Sequence, residues 1–295
     1  VPGTASLPWQ YQLQGTTQAG CLYPSTNYIN TGITATAWDG TKSVHPKVFD
    51  IDIYQDPGCS GGVANIPVTN AVAAIHAQGG HAIGYIDAGS WEKWRADQGE
   101  YVAFDNSCGG CLLGRTYFGY KDERWLNIDD SGSVTGINPN TGVRETPAQF
   151  IRDELAKRMA DAKVAGFDAI EFDNVEAYTN RTGFNTTAAQ QLAFNQSIAN
   201  LAHSMGFTVG LKNDLGQAAD LRPYFDFAVN EQCFQYSECA ALQTWPTTYG
   251  KAVFNVEYKG KLSNFCPLAN STSYDFNSSL KDANLYDTPW TPCRG

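Results

Sequence analysis

The sequence predicts a (β/α)8 barrel, a TIM-barrel fold in one domain with disulfide-stapled loops, and three observations carry that reading. Short apolar runs rich in β-branched and aromatic residues recur at 48–54, 81–87, 125–129, 169–173, 208–213, 225–231 and 252–258, with a shorter one at 283–286. Helical patterns fall between them. Buried strands alternating with helices form a parallel sheet, and seven or eight such units suit a closed barrel better than an open sheet. Finally, no Gly-X-Gly-X-X-Gly follows the first run, which weakens the dinucleotide-binding alternative.

In chain order, residues 1–45 read as an appendage and 48–54 as the first barrel strand. A helix over 68–79 carries Val72 and Ile75 and stops at Gly79-Gly80. Thr146-Pro147 offers an N-cap with proline at the first helical position. Ile151, Leu155, Met159 and Ala162 then keep one apolar face until Gly166. A third helix spaces Phe194, Ile198, Leu201 and Met205 at helical intervals and ends at Gly206. Residues 262–282 read as a second appendage, and no linker divides the single domain expected over 1–295.

Three units share an internal spacing: Gly80 to Asp87, Gly166 to Asp173 and Gly206 to Asn213, each seven residues. The shared offset puts all three polar side chains at the C-terminal ends of their strands, the rim on which barrel enzymes build their sites. Turn-forming Asp and Asn end strands for structural reasons too. With Glu231 and Glu257 also ending apolar runs, a ring of acids on one rim is the better explanation.

Composition narrows the function. Thirty acidic against 20 basic residues give a net charge of −10, which argues against nucleic acid as a partner and is compatible with a cationic substrate. No stretch approaches the roughly 20 apolar residues of a membrane span. Eight cysteines suit four disulfides, with Cys108–Cys111 a short structural bridge and Cys233 near enough to Cys239 to pair locally. Asn180, Asn185, Asn195, Asn270 and Asn277 each begin an Asn-X-Ser/Thr sequon. Together these features favour a secreted, extracellular protein. The opening Val-Pro-Gly, with no basic-then-apolar leader, reads as the start left after removal of a signal peptide. The chain is expected to act as a monomer.

Cleaving a glycosidic bond takes one carboxyl to protonate the leaving oxygen and another to attack or to activate water. Asp173 and Glu231 end the fourth and sixth strands of this count, which nearly face each other across a barrel of eight. Glu171 shares the side of Asp173 but sits deeper, as a structural carboxylate. Metal-dependent hydrolysis would want histidines on the rim. His45 and His81 precede strands, His76 and His203 fall within helices, and no zinc motif occurs, so neither metal nor other cofactor is expected. No Gly-X-Ser-X-Gly elbow supports a serine hydrolase. Trp91 and Trp94 follow the second strand, Trp125 opens the third and Tyr258 ends the seventh, and such rings either stack on sugars or pack in the core and loops.

Several motifs then occur in register: Trp9-Gln-Tyr-Gln-Leu13, Val48-Phe-Asp-Ile-Asp52, Ile83-Gly-Tyr-Ile-Asp-Ala-Gly-Ser-Trp-Glu92, Trp94-Arg-Ala-Asp97 and Trp125-Leu-Asn-Ile-Asp129, followed by Gly166-Phe-Asp-Ala-Ile-Glu-Phe-Asp-Asn174, Gly210-Leu-Lys-Asn-Asp214 and Asn230-Glu231. From about residue 9 to 258 the chain resembles glycoside hydrolase family 114, the endo-α-1,4-polygalactosaminidases. The resemblance implies a (β/α)8 barrel with Asp173 and Glu231 as the catalytic carboxylates. By analogy with retaining barrels, Asp173 is the nucleophile and Glu231 the general acid/base. Asp52, Tyr85, Asp87, Trp125, Asn174, Lys212, Asn213, Glu257 and Tyr258 are the candidate substrate contacts. Asp87 departs from the Ser that many relatives carry there. The implied substrate is a cationic, partly N-acetylated α-1,4-linked galactosamine polysaccharide of the fungal exopolysaccharide kind, with Asp52, Asp87 and Glu257 placed to meet its amines. The competing reading is a non-catalytic barrel that only binds the same glycan.

Overall fold

A computed structural model describes residues 7–15, 29–55 and 66–295. Eight parallel strands form the barrel: β1 Trp9–Gln12, β2 Val48–Asp52, β3 His81–Asp87, β4 Ala169–Asp173, β5 Thr208–Lys212, β6 Phe227–Glu231, β7 Val253–Glu257 and β8 Asn277–Lys281. A final strand, Trp290–Pro292, pairs antiparallel to β8. Between β8 and β1 the wall is completed by other bonds. Lys281 Nζ donates to Gln10 Oε1 at 3.0 Å, Gln10 Nε2 to the Asp287 carbonyl at 2.8 Å, and Leu13 N to the Leu285 carbonyl at 3.1 Å.

Two expected strands are corrected. Residues 125–129 do not join the barrel: Trp125 belongs to Tyr120–Leu126, the middle of an antiparallel sheet with Ser90–Glu92 and Leu113–Tyr117 that stands beside the rim. Residues 283–286 form no strand and instead lie in the seam between β8 and β1. Their places are taken by β1 and β8, which fall inside the segments 1–45 and 262–282 read as appendages. Strand β8 (Asn-Ser-Ser-Leu-Lys) is buried but too polar for an apolar-run search, and its Lys281 is held by hydrogen bonds with the seam. The two errors offset one another, so Asp173 and Glu231 still end strands four and six.

The strands alternate as period two requires. In β4, Ile170 and Phe172 pack outward beneath the helices, while Ala169 packs with the barrel-interior cluster of Trp9, Val48, Ile83, Phe227 and Phe254. The same face of β4 therefore carries Ala169, Glu171 and Asp173 in ascending order. On β5, a side chain at Gly210 would place its Cβ 2.3 Å from the Phe227 ring, so glycine leaves the interior to that ring and Lys212 stands above it.

The expected helices are present at Thr69–Ala77, Pro147–Ala165 and Ala188–Ser204. Thr146 Oγ1 accepts from Gln149 N, and Gly166 closes that helix at a φ of 94°. Thr187 and Gln190 form a reciprocal capping box on the third. Three disulfides join Cys108–Cys111, Cys233–Cys239 and Cys266–Cys293. The expected fourth bridge falls on Cys21 and Cys59, which lie outside the described residues. Two of the five sequon asparagines, Asn195 and Asn277, are buried, and Asn195 Nδ2 donates to the Val175 carbonyl and to Asp214 Oδ2. Among the described residues, no helix is long and apolar enough to cross a membrane.

Candidate active site

A cavity of about 670 Å³ opens at the C-terminal rim, and Asp173, Lys212, Glu231 and Tyr258 all line it. Parallel pairing sets Asp87 level with Asp173, so both close their strands at the same height. The chain turns sharply beyond β4 and β5, where Asn174 and Asn213 take φ values of 60° and 48°. Asparagine tolerates that left-handed region better than most residues, so its amide can face the site from the turn itself.

At the centre lies a buried ammonium. Lys212 Nζ is 3.2 Å from Asp173 Oδ1, 3.5 Å from Glu231 Oε2 and 3.3 Å from Glu171 Oε1, and it donates to the Tyr11 hydroxyl at 2.9 Å. Burial pulls the lysine pKa down, but Asp173, Glu171 and Glu231 outweigh it, and the group stays a cation with a pKa well above its ordinary value. Glu171 beneath is pushed up to about 7, by burial first and Asp173 next, against the opposing pull of Lys212. It is the deep structural carboxylate that period two requires.

Each rim carboxyl has its own donors. Asp173 accepts from the Tyr85 hydroxyl at 3.0 Å and the Asn174 amide N at 2.9 Å. Glu231 accepts a short hydrogen bond from the Tyr258 hydroxyl and a longer one, 3.3 Å, from Asn213 Nδ2. Asn213 Oδ1 in turn accepts from Glu231 N at 3.0 Å. Burial, followed by the adjacent carboxylates, raises the pKa of Tyr85 and of Tyr258, so both phenols remain donors. Tyr85, Asn174, Lys212, Asn213 and Tyr258 are thus brought together around the pair.

Four candidate contacts are placed otherwise. Asp52 lines the cavity, but Arg95 grips both of its oxygens at 2.9 and 2.8 Å. Asp87 is 2% exposed and lies beneath the surface, accepting from Gly89 N, Ser90 N, Ser90 Oγ and Asn174 Nδ2, which makes it the anchor of Asn174. Glu257 is 1% exposed and accepts from the Phe234 and Gln235 amides and from Asn255 Nδ2. Trp125 is buried under Tyr117, with ring centroids 4.8 Å apart, and Tyr117 presents the face that lines the cavity. Trp94 also lines the cavity, whereas Trp91 is tied to the Gln98 carbonyl.

The sequence reading missed Tyr11, Arg95, Tyr117, Glu123 and Glu176, all of which line the cavity. Glu176 had a signal, since it falls three residues after Asp173 in a strand-to-helix loop on the site-bearing rim. The histidines lie away from the cavity: His76 pairs with Asp168 at 2.9 Å and His203 with Asp226 at 2.8 Å, both acids preceding barrel strands.

A barrel that holds two carboxylates across one rim cavity, with phenols and amides aimed at both, is the framework of a glycoside hydrolase. The family comparison agrees. The chain belongs to glycoside hydrolase family GH114, whose family model matches residues 2–295. Solved structures of similar fold include Aspergillus fumigatus Ega3 in complex with galactosamine. It is 23% identical over 97% of this chain and 95% of that one, with a TM-score of 0.69. The glycoside hydrolase domain of Pseudomonas aeruginosa PelA is 10% identical, covers 97% of both chains and has a TM-score of 0.53. A mutant of the trehalulose synthase MutB, from crystals soaked with trehalulose, is 13% identical over 89% of this chain and 58% of that one, at a TM-score of 0.51. No protein of curated function matches by sequence.

Proposed function

We propose that the protein is a secreted, monomeric endo-acting hydrolase, one catalytic domain, that cleaves α-1,4-linked galactosamine/N-acetylgalactosamine polymer with Asp173 as nucleophile and Glu231 as general acid/base. The observation that carries this reading is the pair itself. Both carboxyls lie within 3.5 Å of one ammonium, so their nearest oxygens are separated by less than those two contacts combined. That ceiling, about 6.7 Å, admits the roughly 5–5.5 Å of retaining pairs and reaches only the lower edge of the roughly 6.5–9.5 Å of inverting ones, and the assignment of retention follows the analogy with retaining barrels. In the first step an Asp173 oxygen bonds to the anomeric carbon as the glycosidic C–O bond breaks and Glu231 gives its proton to the departing oxygen. In the second, Glu231 takes a proton from water, whose oxygen displaces Asp173 and restores both groups. Lys212 holds the two carboxyls in register, and Tyr85 and Tyr258 fix their orientation.

The substrate class rests on family membership, on the galactosamine bound by Ega3, and on the acidic cavity. Six carboxylates line that cavity (Asp52, Glu92, Glu123, Asp173, Glu176 and Glu231) against two cations, Arg95 and Lys212. The three bridges and the sequons that remain at the surface suit secretion. Mass spectrometry of partly deacetylated α-1,4-galactosaminan after incubation with the protein tests the proposal. Internal cleavage gives a ladder of short oligomers. Polymer that is bound but left intact would establish the binding-only barrel instead.

A further inference from the structure

The amines of such a polymer need acceptors. Asp52 is held by Arg95, while Asp87 and Glu257 are buried away from the cavity in bonds of their own. Glu92, also on the wall, is tied to Arg95 at 2.6 Å. Beyond the catalytic pair, Glu123 and Glu176 remain. Glu123 is 8% exposed and shares the Ser90 hydroxyl with Asp87, its Oε2 lying 3.3 Å from Ser90 Oγ.

Glu176 differs. It follows β4 by three residues and is partly exposed where it lines the cavity, and its Oε2 is buried without a hydrogen-bond partner among the described residues. A carboxyl left without hydrogen-bond donors in a largely desolvated place costs free energy, and a donor arriving at the part of the group that faces the cavity relieves that cost. Resting on the substrate reading above, we infer that Glu176 is the specificity-determining residue for the free amine: its carboxylate takes the ammonium of the galactosamine unit lodged beside Asp173. An N-acetyl group at that position has one amide hydrogen and no charge, so it gains less from Glu176.

The electrostatics agree with this assignment. Burial first, then Asp173, pushes the Glu176 pKa up to about 8, with Asp214 and Glu231 adding to the rise and Lys212 opposing it. The free carboxyl therefore largely holds its proton in mildly acidic solution. An incoming ammonium favours the ionised form, so binding releases a proton.

The test compares wild type with Glu176→Gln on fully deacetylated and on N-acetylated α-1,4-galactosaminan. Glutamine keeps the shape and removes the charge, and since it replaces an acid whose ionised form is disfavoured by burial, the melting temperature should not fall. Hydrogen bonds to charged groups contribute roughly 1.5–3 kcal/mol, so kcat/KM on the deacetylated polymer should drop about 10- to 100-fold. The rate on the acetylated polymer should hold. Titrating a galactosamine oligomer into each protein at pH 7, in buffers of different ionisation enthalpy, should show proton release in wild type and less in the variant. Equal loss on both polymers, or no loss on either, overturns the assignment while leaving the substrate reading intact. Wild-type protein that cleaves neither polymer overturns both.

Discussion

Lys212→Met replaces a buried cation with an apolar chain of similar length. The lysine is 1% exposed, and its ammonium faces Glu171, Asp173 and Glu231 at 3.2–3.5 Å. Removing one partner of a buried ion pair costs roughly 3–5 kcal/mol, because the charge left behind is uncompensated. At about 2–4 °C per kcal/mol for chains somewhat shorter than this one, the melting temperature should fall by on the order of 10 °C near neutral pH. The loss should depend on pH in a fixed direction. The folded pKa of Glu171 is already raised to about 7, above an unfolded value near 4.3, and without the opposing lysine it rises further. An acid with a raised folded pKa is neutral in the fold at low pH, so its folded form loses stability as pH climbs from the unfolded pKa through the folded one. The deficit should therefore be large at pH 8 and much smaller at pH 5. Thermal melts at the two pH values, with turnover measured alongside, check this. A deficit equal at both would mean that Lys212 contributes packing alone, and wild-type turnover would refute its role in holding the carboxyl pair.

The remaining expectations concern stereochemistry and the disulfides. NMR of the first-formed product from the α-linked polymer should show the α anomer, and a β product would remove Asp173 as nucleophile. Bridges stabilise more when they close longer loops. Replacing Cys266 and Cys293, 27 residues apart, with serine should thus lower the melting temperature more than replacing Cys108 and Cys111, three apart, and below the melt neither pair of changes should alter turnover. Activity lost on replacing Cys108 and Cys111 in folded protein would assign that bridge a role in the chemistry.

Much of the barrel is legible because most of its strands are short runs rich in apolar residues and its helices carry caps, as Thr146-Pro147 through Gly166 shows. Strand β8 is hidden because it is polar, and its Lys281 is buried by bonding to Gln10 and Tyr286, partners more than 270 residues and five residues away respectively. Residues 125–129 mislead because a strand in a small side sheet looks locally like a barrel strand. At the site, the family motifs name Tyr85 and Lys212 among the residues that ring the pair, and strand-end position points to Tyr258 as well. It fails for Asp52 and Glu257, since position along a strand does not say whether an acid is already occupied. Arg95 satisfies the first and backbone amides the second, contacts that depend on loops the sequence leaves open.

The central claim is that Asp173 and Glu231 perform the hydrolysis, and single-turnover and steady-state kinetics of Asp173→Asn and Glu231→Gln on partly deacetylated α-1,4-galactosaminan test it most directly. Each change keeps the side chain's shape and removes a group used mainly in the transition state, so kcat should fall by several orders of magnitude while the melt stays cooperative. Near-wild-type turnover in either folded variant would contradict the account and take that residue out of the mechanism.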